Sequence, residues 1–353
     1  MTNEIATLLD QTATRLFGDL VTGSTFSAAE NGVWPEQLWN ALEENGLTQP
    51  LVSVENGGAG ATWRDSYVIV RAAGYFSVPV PLPETIAAGY LLSQSGIQIP
   101  ESPLSLISPP EYGFSLTKDD QGAWRLDGVL PRVPWGRNVG YVIFSYEDMI
   151  VSVPVEGCTI NKGSNVAGEP RDNLTFSNQA VEAAPGAFSS TQIGALIRAA
   201  QMAGAAERAL EEAVSYAKER VQFGRTISKF QAIQQNLAVM ASETAAAGCA
   251  AEMAFQAADY GEAEFEIAAA KIRNGEAGDI VTATAHQVLG AIGFTREHHL
   301  NLTTRRIWSW RAEFGGASSW ALKLGQATID RGGKNLWSDL TARYIDIKEY
   351  TSE

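Results

Sequence analysis

Apolar side chains recur every third or fourth position over residues 3 to about 95, as in Ile5, Leu8, Leu9, Ala13, Leu16 and Leu20, the spacing of amphipathic helices. Gly57, Gly58 and Gly60 interrupt the pattern, WRDSYVIVRAAGYF resumes it, and Pro79, Pro81 and Pro83 punctuate the chain before a short run from Glu84 to Gln94. Between about 100 and 187 the period falls to two. There, GYVIFSY and MIVSVPV on either side of Glu147-Asp148 predict a β-hairpin, and LTFSNQAVE predicts a further strand. The helical spacing returns at Ser189, which fits a capping box with Gln192; Ile193, Leu196, Ile197 and Ala200 begin an apolar stripe that continues through Leu210, Ala213 and Ala217. Three more helices are predicted over about 230–259, 264–289 and 318–331, crowded with alanine and glycine that let helix axes approach closely. The fold class read from this is α+β: an N-terminal all-α domain over 1–100, a small middle β-barrel or sandwich over 101–188, and a C-terminal four-helix bundle over 189–353.

Composition narrows the partners. The 353 residues carry 26 basic against 40 acidic side chains, a formal net charge of −14. Such a field repels phosphate backbones and anionic lipid surfaces, so neither nucleic acid nor membrane is an expected partner, and an anionic ligand must be held by local arginines. Cys158 and Cys249 are far apart with no Cys or His at ligand spacing, which suggests neither a disulfide framework nor zinc. A cytoplasmic location is expected, because the first residues lack a basic region followed by an apolar core and no stretch reaches the length of a membrane span. His298 and His299 are adjacent and would diverge on a helix, His286 reads as a packing residue near a helix end, and GGAGAT lacks the lysine of a phosphate-binding loop. Trp308 and Trp310 read as core or interface anchors.

The segment YAKERVQFGRTISKFQAIQQNLAVM is the richest in chemistry. Arg220, Phe223 and Gly224 put a fixed cation, an aromatic face and a permissive backbone within one turn, which suits a dinucleotide: a guanidinium binds pyrophosphate in a bidentate fashion and glycine allows close approach. The same residues also describe a plain helix C-terminus, with Arg220 favouring the dipole and Gly224 as cap.

The succession of helical, β and four-helix regions, with this segment between the first two long C-terminal helices, resembles the acyl-CoA dehydrogenase family over nearly the whole chain. Its strongest words are YAKERVQFGRTISKFQAIQQNLAVMA and HQVLGAIGFTREHHL; SVENGGAGATWRD and LDGVLPRVPWGRNVGYVIF are weaker. The resemblance implies FAD, with Arg220, Phe223 and Gly224 at positions that reach it across a subunit interface, and with Gln287, Gly290 and Gly293 meeting the adenosine half of a neighbouring protomer's FAD. It implies α,β-desaturation of an acyl-CoA thioester to a 2,3-enoyl-CoA, a homodimer or tetramer, and an electron acceptor such as an electron-transfer flavoprotein. The reaction needs a carboxylate to take the α-proton. Laying RIWSWRAEFGGASSW against the family's YEGT-like word puts Phe314 opposite that base and Glu313 one residue earlier, so Glu313 is the candidate if the loop register shifts by one; otherwise it is a solvated acid paired with Arg311 or Arg306. Some relatives carry the base near the end of the second long helix, where Asp259, Glu262 and Glu264 stand. The resemblance also has gaps. The family's Trp and Thr beside the flavin fall opposite Arg132 and Pro134, and Pro134 has neither N–H nor hydroxyl to offer unless Trp135 and backbone groups replace it. That departure raises an alternative role: the flavin-site-completing, non-catalytic partner in a heterotetramer with a homologous subunit.

Overall fold

The computed structural model describes residues 4–261, 263–295 and 298–341. Helices come first: α1 (Glu4–Leu20), α2 (Gly23–Glu30), α3 (Glu36–Glu44), α4 (Trp63–Tyr75) and α5 (Leu82–Ser95). Seven strands follow, β1 (Leu104–Leu106), β2 (Phe114–Lys118), β3 (Trp124–Pro134), β4 (Tyr141–Tyr146), β5 (Met149–Pro154), β6 (Thr159–Asn161) and β7 (Arg171–Pro185). They form one sheet in the order β1-β4-β5-β7-β3-β2, with β6 also on β7; all pairs are antiparallel except β1 with β4. The predicted hairpin is present: Tyr146 pairs with Met149, and Glu147 takes a positive φ of 50° that stands in for the missing glycine. LTFSNQAVE lies within β7, the long strand that binds both halves of the sheet.

The chain returns to helices with α6 (Ser190–Glu219), then a miniature hairpin of β8 (Val221–Gln222) and β9 (Arg225–Thr226), followed by α7 (Gln231–Ala258), α8 (Glu264–Leu289), α9 (Leu300–Trp310), α10 (Ala317–Arg331) and α11 (Leu336–Thr341). Ser189 caps α6, accepting from the Gln192 N–H at 3.4 Å. The helix α9 falls in a stretch that the 189–353 reading left between helices; its eleven residues bury Leu300, Ile307 and Trp310 on one face.

The helix α6 is the axis of the molecule. From Ile193 to Ala206 every side chain is buried, so this stretch has no solvent face and shows little amphipathicity. Its alanines and glycines are what make that possible. A Cβ on Gly204 would lie 1.9 Å from the Arg71 carbonyl oxygen, and one on Gly74 would lie 2.0 Å from that of Gln201. The α4 and α6 backbones therefore touch through reciprocal glycines. One apolar cluster runs through this crossing and joins α1, α3, α4 and α5 to α6, α7 and α8, with Phe17, Trp63, Leu91, Leu196 and Phe255 among its members. A second cluster fills the sheet, including Leu126, Phe144, Val153 and Leu174.

Gly204→Ala is expected to lower the unfolding free energy by about 2–3 kcal/mol, because two backbones must separate to admit one methyl group. Gly325→Ala, on the exposed side of α10 with nothing within 4 Å, should instead raise it by up to about 1 kcal/mol. Denaturant melts of the two variants check the contrast.

Candidate active site

A fully buried helix carries a charge only if that charge is paired, and α6 carries Arg198 at 0% exposure. Its Nη2 donates to Glu84 Oε1 on α5 at 2.6 Å, its Nε to Glu313 Oε2 at 2.8 Å, and its Nη1 to Gln201 Oε1. Glu313 is held from the other side by Arg171, the first residue of β7, through Nε to Oε1 at 2.8 Å and Nη2 to Oε2 at 3.1 Å. Arg171 also donates to Glu169 Oε2 at 3.1 Å, and Glu169 in turn pairs with Arg306 of α9 at 3.0 Å. The result is a buried chain of alternating sign: Glu84, Arg198, Glu313, Arg171, Glu169, Arg306. Burial opposes ionisation of Glu313, but Arg171 and Arg198 outweigh it and hold the carboxyl at about 2. Glu169 is likewise pushed down by Arg306 and Arg171 against its burial. Lys271 of α8, also at 0% exposure, donates to the Trp310 and Arg311 carbonyls at 3.1 and 2.9 Å, closing the C-terminus of α9; burial pulls its pKa to about 7 against the opposing field of Glu313.

The sequence offered Glu313 either as the base or as a solvated acid paired with Arg311 or Arg306. Arg311 instead meets Asp279, and Arg306 meets Glu169. The rest of the ion chain was missed, although a signal was there: Arg198 stands alone in the uncharged run IGALIRAAQMAGAA, as does Glu84 in PLPETIAAGY.

Phe314, opposite the family's base in the unshifted alignment, has φ of 55°, a left-handed conformation costly for a bulky residue, and is buried. Its ring lies against α6 at Gly194, where a Cβ would come within 2.1 Å of the ring, and the Arg198 guanidinium stands 5.6 Å over it. Gly194 thus makes the seat for Phe314. Between this residue and the end of β3 is a recess of about 160 Å³, lined by Leu106, Pro131, Arg132, Pro134, Arg171 and Glu313. Pockets that take cofactors run to about 300–1,000 Å³. Trp135 does not compensate for Pro134: its side chain is buried with the sheet cluster, and its N–H donates to the Pro170 carbonyl at 3.0 Å.

The second group of predicted residues lies at one end of the C-terminal helices. The helix α6 ends at Glu219, so Gly224 is not its cap; Phe223 and Gly224, with φ of 54° and 80°, form the two-residue turn between β8 and β9. Arg220 is exposed, and Phe223 at the turn is 91% exposed. At the end of α8, Gln287 and Gly290 are exposed, and Gly290 has φ 66° and ψ −143°, a region reserved for glycine. Gly293 is different, buried with a would-be Cβ 3.0 Å from Leu300 and 3.2 Å from His286, so its glycine is required by packing. Tyr216, Ala217, Ile227, Val288 and Leu289 share one apolar cluster, which brings the β8–β9 turn and the end of α8 to the same region of the molecule.

Asp259 accepts from the Trp63 and Arg64 N–H groups at 2.6 and 3.3 Å and so caps α4 from across the fold. Glu264 is exposed in the first turn of α8, and Glu262 lies outside the described residues. His286 is stacked 4.0 Å from Phe294 and shares a 3.0 Å hydrogen bond with Thr304, which itself donates to the Leu300 carbonyl; His286 is therefore the donor, and burial lowers its pKa. Trp310 is buried, and Trp308 donates to Thr282 at 3.1 Å. Among the described residues no helix is long and apolar enough to cross a membrane.

Residues 187–322 match the family described as "Acyl-CoA dehydrogenase, C-terminal domain". Acyl-CoA dehydrogenase IpdE2 of Mycolicibacterium smegmatis is 27% identical over 283 residues, covering 76% of this chain and 80% of its own length. Among solved structures, the Tcur3481–Tcur3483 steroid ACAD superposes with a TM-score of 0.85 at 24% identity, covering 93% of this chain and 98% of its own. The ChsE4–ChsE5 complex from Mycobacterium tuberculosis does so with a TM-score of 0.82 at 20% identity, covering 92% and 97%. The helical–sheet–helical order, the matched C-terminal helices and relatives aligned along most of their length agree: residues 187–322 belong to the acyl-CoA dehydrogenase C-terminal domain family, and most of the chain is similar to acyl-CoA dehydrogenases, oxidoreductases that act on the CH–CH bonds of acyl-CoA thioesters.

Proposed function

We propose that this chain is the flavin-site-completing partner in a heteromeric, FAD-dependent acyl-CoA dehydrogenase whose base is supplied by a homologous subunit. The observation that carries this reading is the state of Glu313. A general base must accept a proton near the working pH, and a carboxylate held at about 2 by two arginines does not. At the aligned base position stands Phe314, which has no proton to exchange. The ion chain from Glu84 to Arg198 also occupies the interior beside it, and the recess at Pro134 is too small for an isoalloxazine.

The other half of the family's cofactor apparatus does suit FAD. Arg220 offers an unpaired, exposed guanidinium to a pyrophosphate, Phe223 an outward-facing ring on a rigid turn, and Gln287 and the Gly290 backbone an open edge; Gly293 would act through the packing of that edge. FAD, when bound, accepts hydride from the substrate β-carbon. This chain's residues would hold and orient its outer portion and exclude water at the junction. Support for pairing also comes from the relatives: the two solved structures named above are each a complex of two named components. An electron-transfer flavoprotein would serve as acceptor, and the assembly would be a heterotetramer built from such pairs.

Purified alone, the chain should carry far less than one FAD per chain by its visible spectrum, and co-purification with its homologous partner should restore stoichiometric flavin. A ratio near one for the isolated chain would overturn the proposal. Phe223→Ser should lower flavin retention in the mixed assembly without moving the melting temperature of the chain alone, since the side chain is 91% exposed.

Glu313→Gln should leave turnover of the mixed assembly measurable while costing about 3 kcal/mol or more of stability, because two guanidinium groups stay buried with a neutral partner. Abolished turnover with fold and flavin intact would instead identify Glu313 as the base. The carboxyl's folded pKa lies below its ordinary 4.5, so its stabilisation is complete above that value and is lost as pH falls towards 2. Urea melts across this window should show a shallower pH slope in the variant, with Glu169 supplying part of what remains.

A further inference from the structure

Pro134 and Trp135 are neighbours in sequence, yet they border different cavities. Pro134 and Arg171 line the recess at Glu313, whereas Trp135 and Pro170 line a separate cavity of about 510 Å³ between the α2–α3 connection and the 3-10 turn at residues 136–138. This volume is in the range of small-molecule sites.

Its walls combine rings with cations. Trp34 supplies a half-buried indole surface, with Pro35, Pro79 and Pro170 beside it, and Trp135, 6% exposed, borders the cavity from the sheet cluster. Trp135 holds a left-handed conformation at φ 57°, unusual for so large a residue, fixed by its N–H to Pro170 and by the Asn138 N–H donating to its carbonyl at 2.7 Å. Arg137 is equally fixed: its Nε and Nη2 are taken by fully buried Asp172, and Nη2 also donates to the Gly163 carbonyl at 2.7 Å. Nη1 has no partner among the described residues. Gly136 admits this arrangement, since a Cβ there would lie 3.1 Å from that of Asp172.

The charge balance sets the sign of the ligand. Asp172 offsets Arg137, and Glu30, the one carboxylate on the wall, is tied to Arg305 at 2.6 Å. Lys162 lines the cavity and has no ion-pair partner among the described residues. In a chain of net charge −14, this is a local excess of positive charge against an aromatic wall.

We propose that this cavity binds a planar, ring-bearing anion, with its phosphate or carboxylate at Lys162 and the free edge of Arg137 and its ring against Trp34 and Trp135. The site is separate from the Glu313 recess and from the β8–β9 turn, and stands whether or not the chain works in an unequal pair.

Isothermal titration of the purified chain with 1-naphthyl phosphate and with 2-naphthoate tests it, inorganic phosphate being the ringless probe. Saturable 1:1 binding of either ring compound is expected, and the tighter of the two identifies the anion. Lys162→Ala should weaken it about tenfold, the worth of one charge-assisted hydrogen bond, and Lys162→Glu should abolish it. Both variants should melt like the parent chain, because Lys162 is exposed. The proposal falls if neither ring compound saturates, if the Lys162 variants bind unchanged, or if inorganic phosphate binds as tightly as its naphthyl ester.

Discussion

The chain of six alternating charges from Glu84 to Arg306 sets the terms for everything around it. Each inner member has an opposite charge on both sides, so the string is neutral overall, and removing any one of them leaves at least one partner buried with its charge uncompensated. Its members come from α5, α6, the loop after α9, the start of β7, the loop before β7, and α9. Apolar contacts between these elements tolerate sliding; bidentate guanidinium–carboxylate contacts do not. The string therefore fixes where the sheet sits against the two helical layers. A well-packed apolar core of equal volume could be as stable, so its contribution is better described as registry than as strength.

Under the proposed partner role, that registry stands in place of proton transfer. A base is useful when its proton affinity matches the working pH, and the guanidinium contacts that anchor Glu313 are the same ones that hold it at about 2. Lys271 titrates nearer neutrality, at about 7, but its ammonium is committed to two carbonyls at the end of α9 and has no exposed surface. The interior of the subunit is thus built as a structural joint. In the proposed partner role, ion pairs and the Phe314 ring stand where a self-sufficient acyl-CoA dehydrogenase would need a carboxylate and open space.

Most of the architecture was legible because it depends on local periodicity. The switch away from three-and-four spacing marked the sheet, and the β4–β5 hairpin was readable even without a turn glycine, because two short β-branched and aromatic runs flank a two-residue connection; both strands are buried along their middle rather than alternating. The short helix α9 was not read, although Leu300, Ile307 and Trp310 stand at helical spacing in LNLTTRRIWSW; threonines and arginines interrupt the apolar stripe, and the partners that bury it, α6 and α8, are distant in sequence. The site was legible only in part for the same reason. Glu313 was found through a family word, but its partners Arg171 and Arg198 are 142 and 115 residues away. No spacing rule joins residues so separated. What the sequence does display is each lone charge in an apolar helix, such as Glu84 and Arg198, which announces that a partner exists without saying which one.

The distribution of backbone strain separates the two ends of the molecule. Phe314 and Trp135 hold left-handed conformations in buried places, where packing on Gly194 and hydrogen bonds to Pro170 and Asn138 over-determine them. Phe223 holds the same conformation with 91% of its surface exposed. Nothing among the described residues buries its ring; Phe230 lies 6.2 Å away at a near-right angle. A two-residue turn with positive φ at both positions is met at least cost by Asn-Gly or Gly-Gly. Placing phenylalanine there accepts strain and exposes an apolar ring in the same residue, and neither cost is recovered within the subunit. Contact with something outside it is the physical account that recovers both, and for a member of this family the proposed occupant of that contact is flavin at a shared junction. Under the proposed partner role, the inner ion chain serves registry while the outer turn trades local stability for contact across the junction, a division that suits a subunit completing a site held by its neighbour.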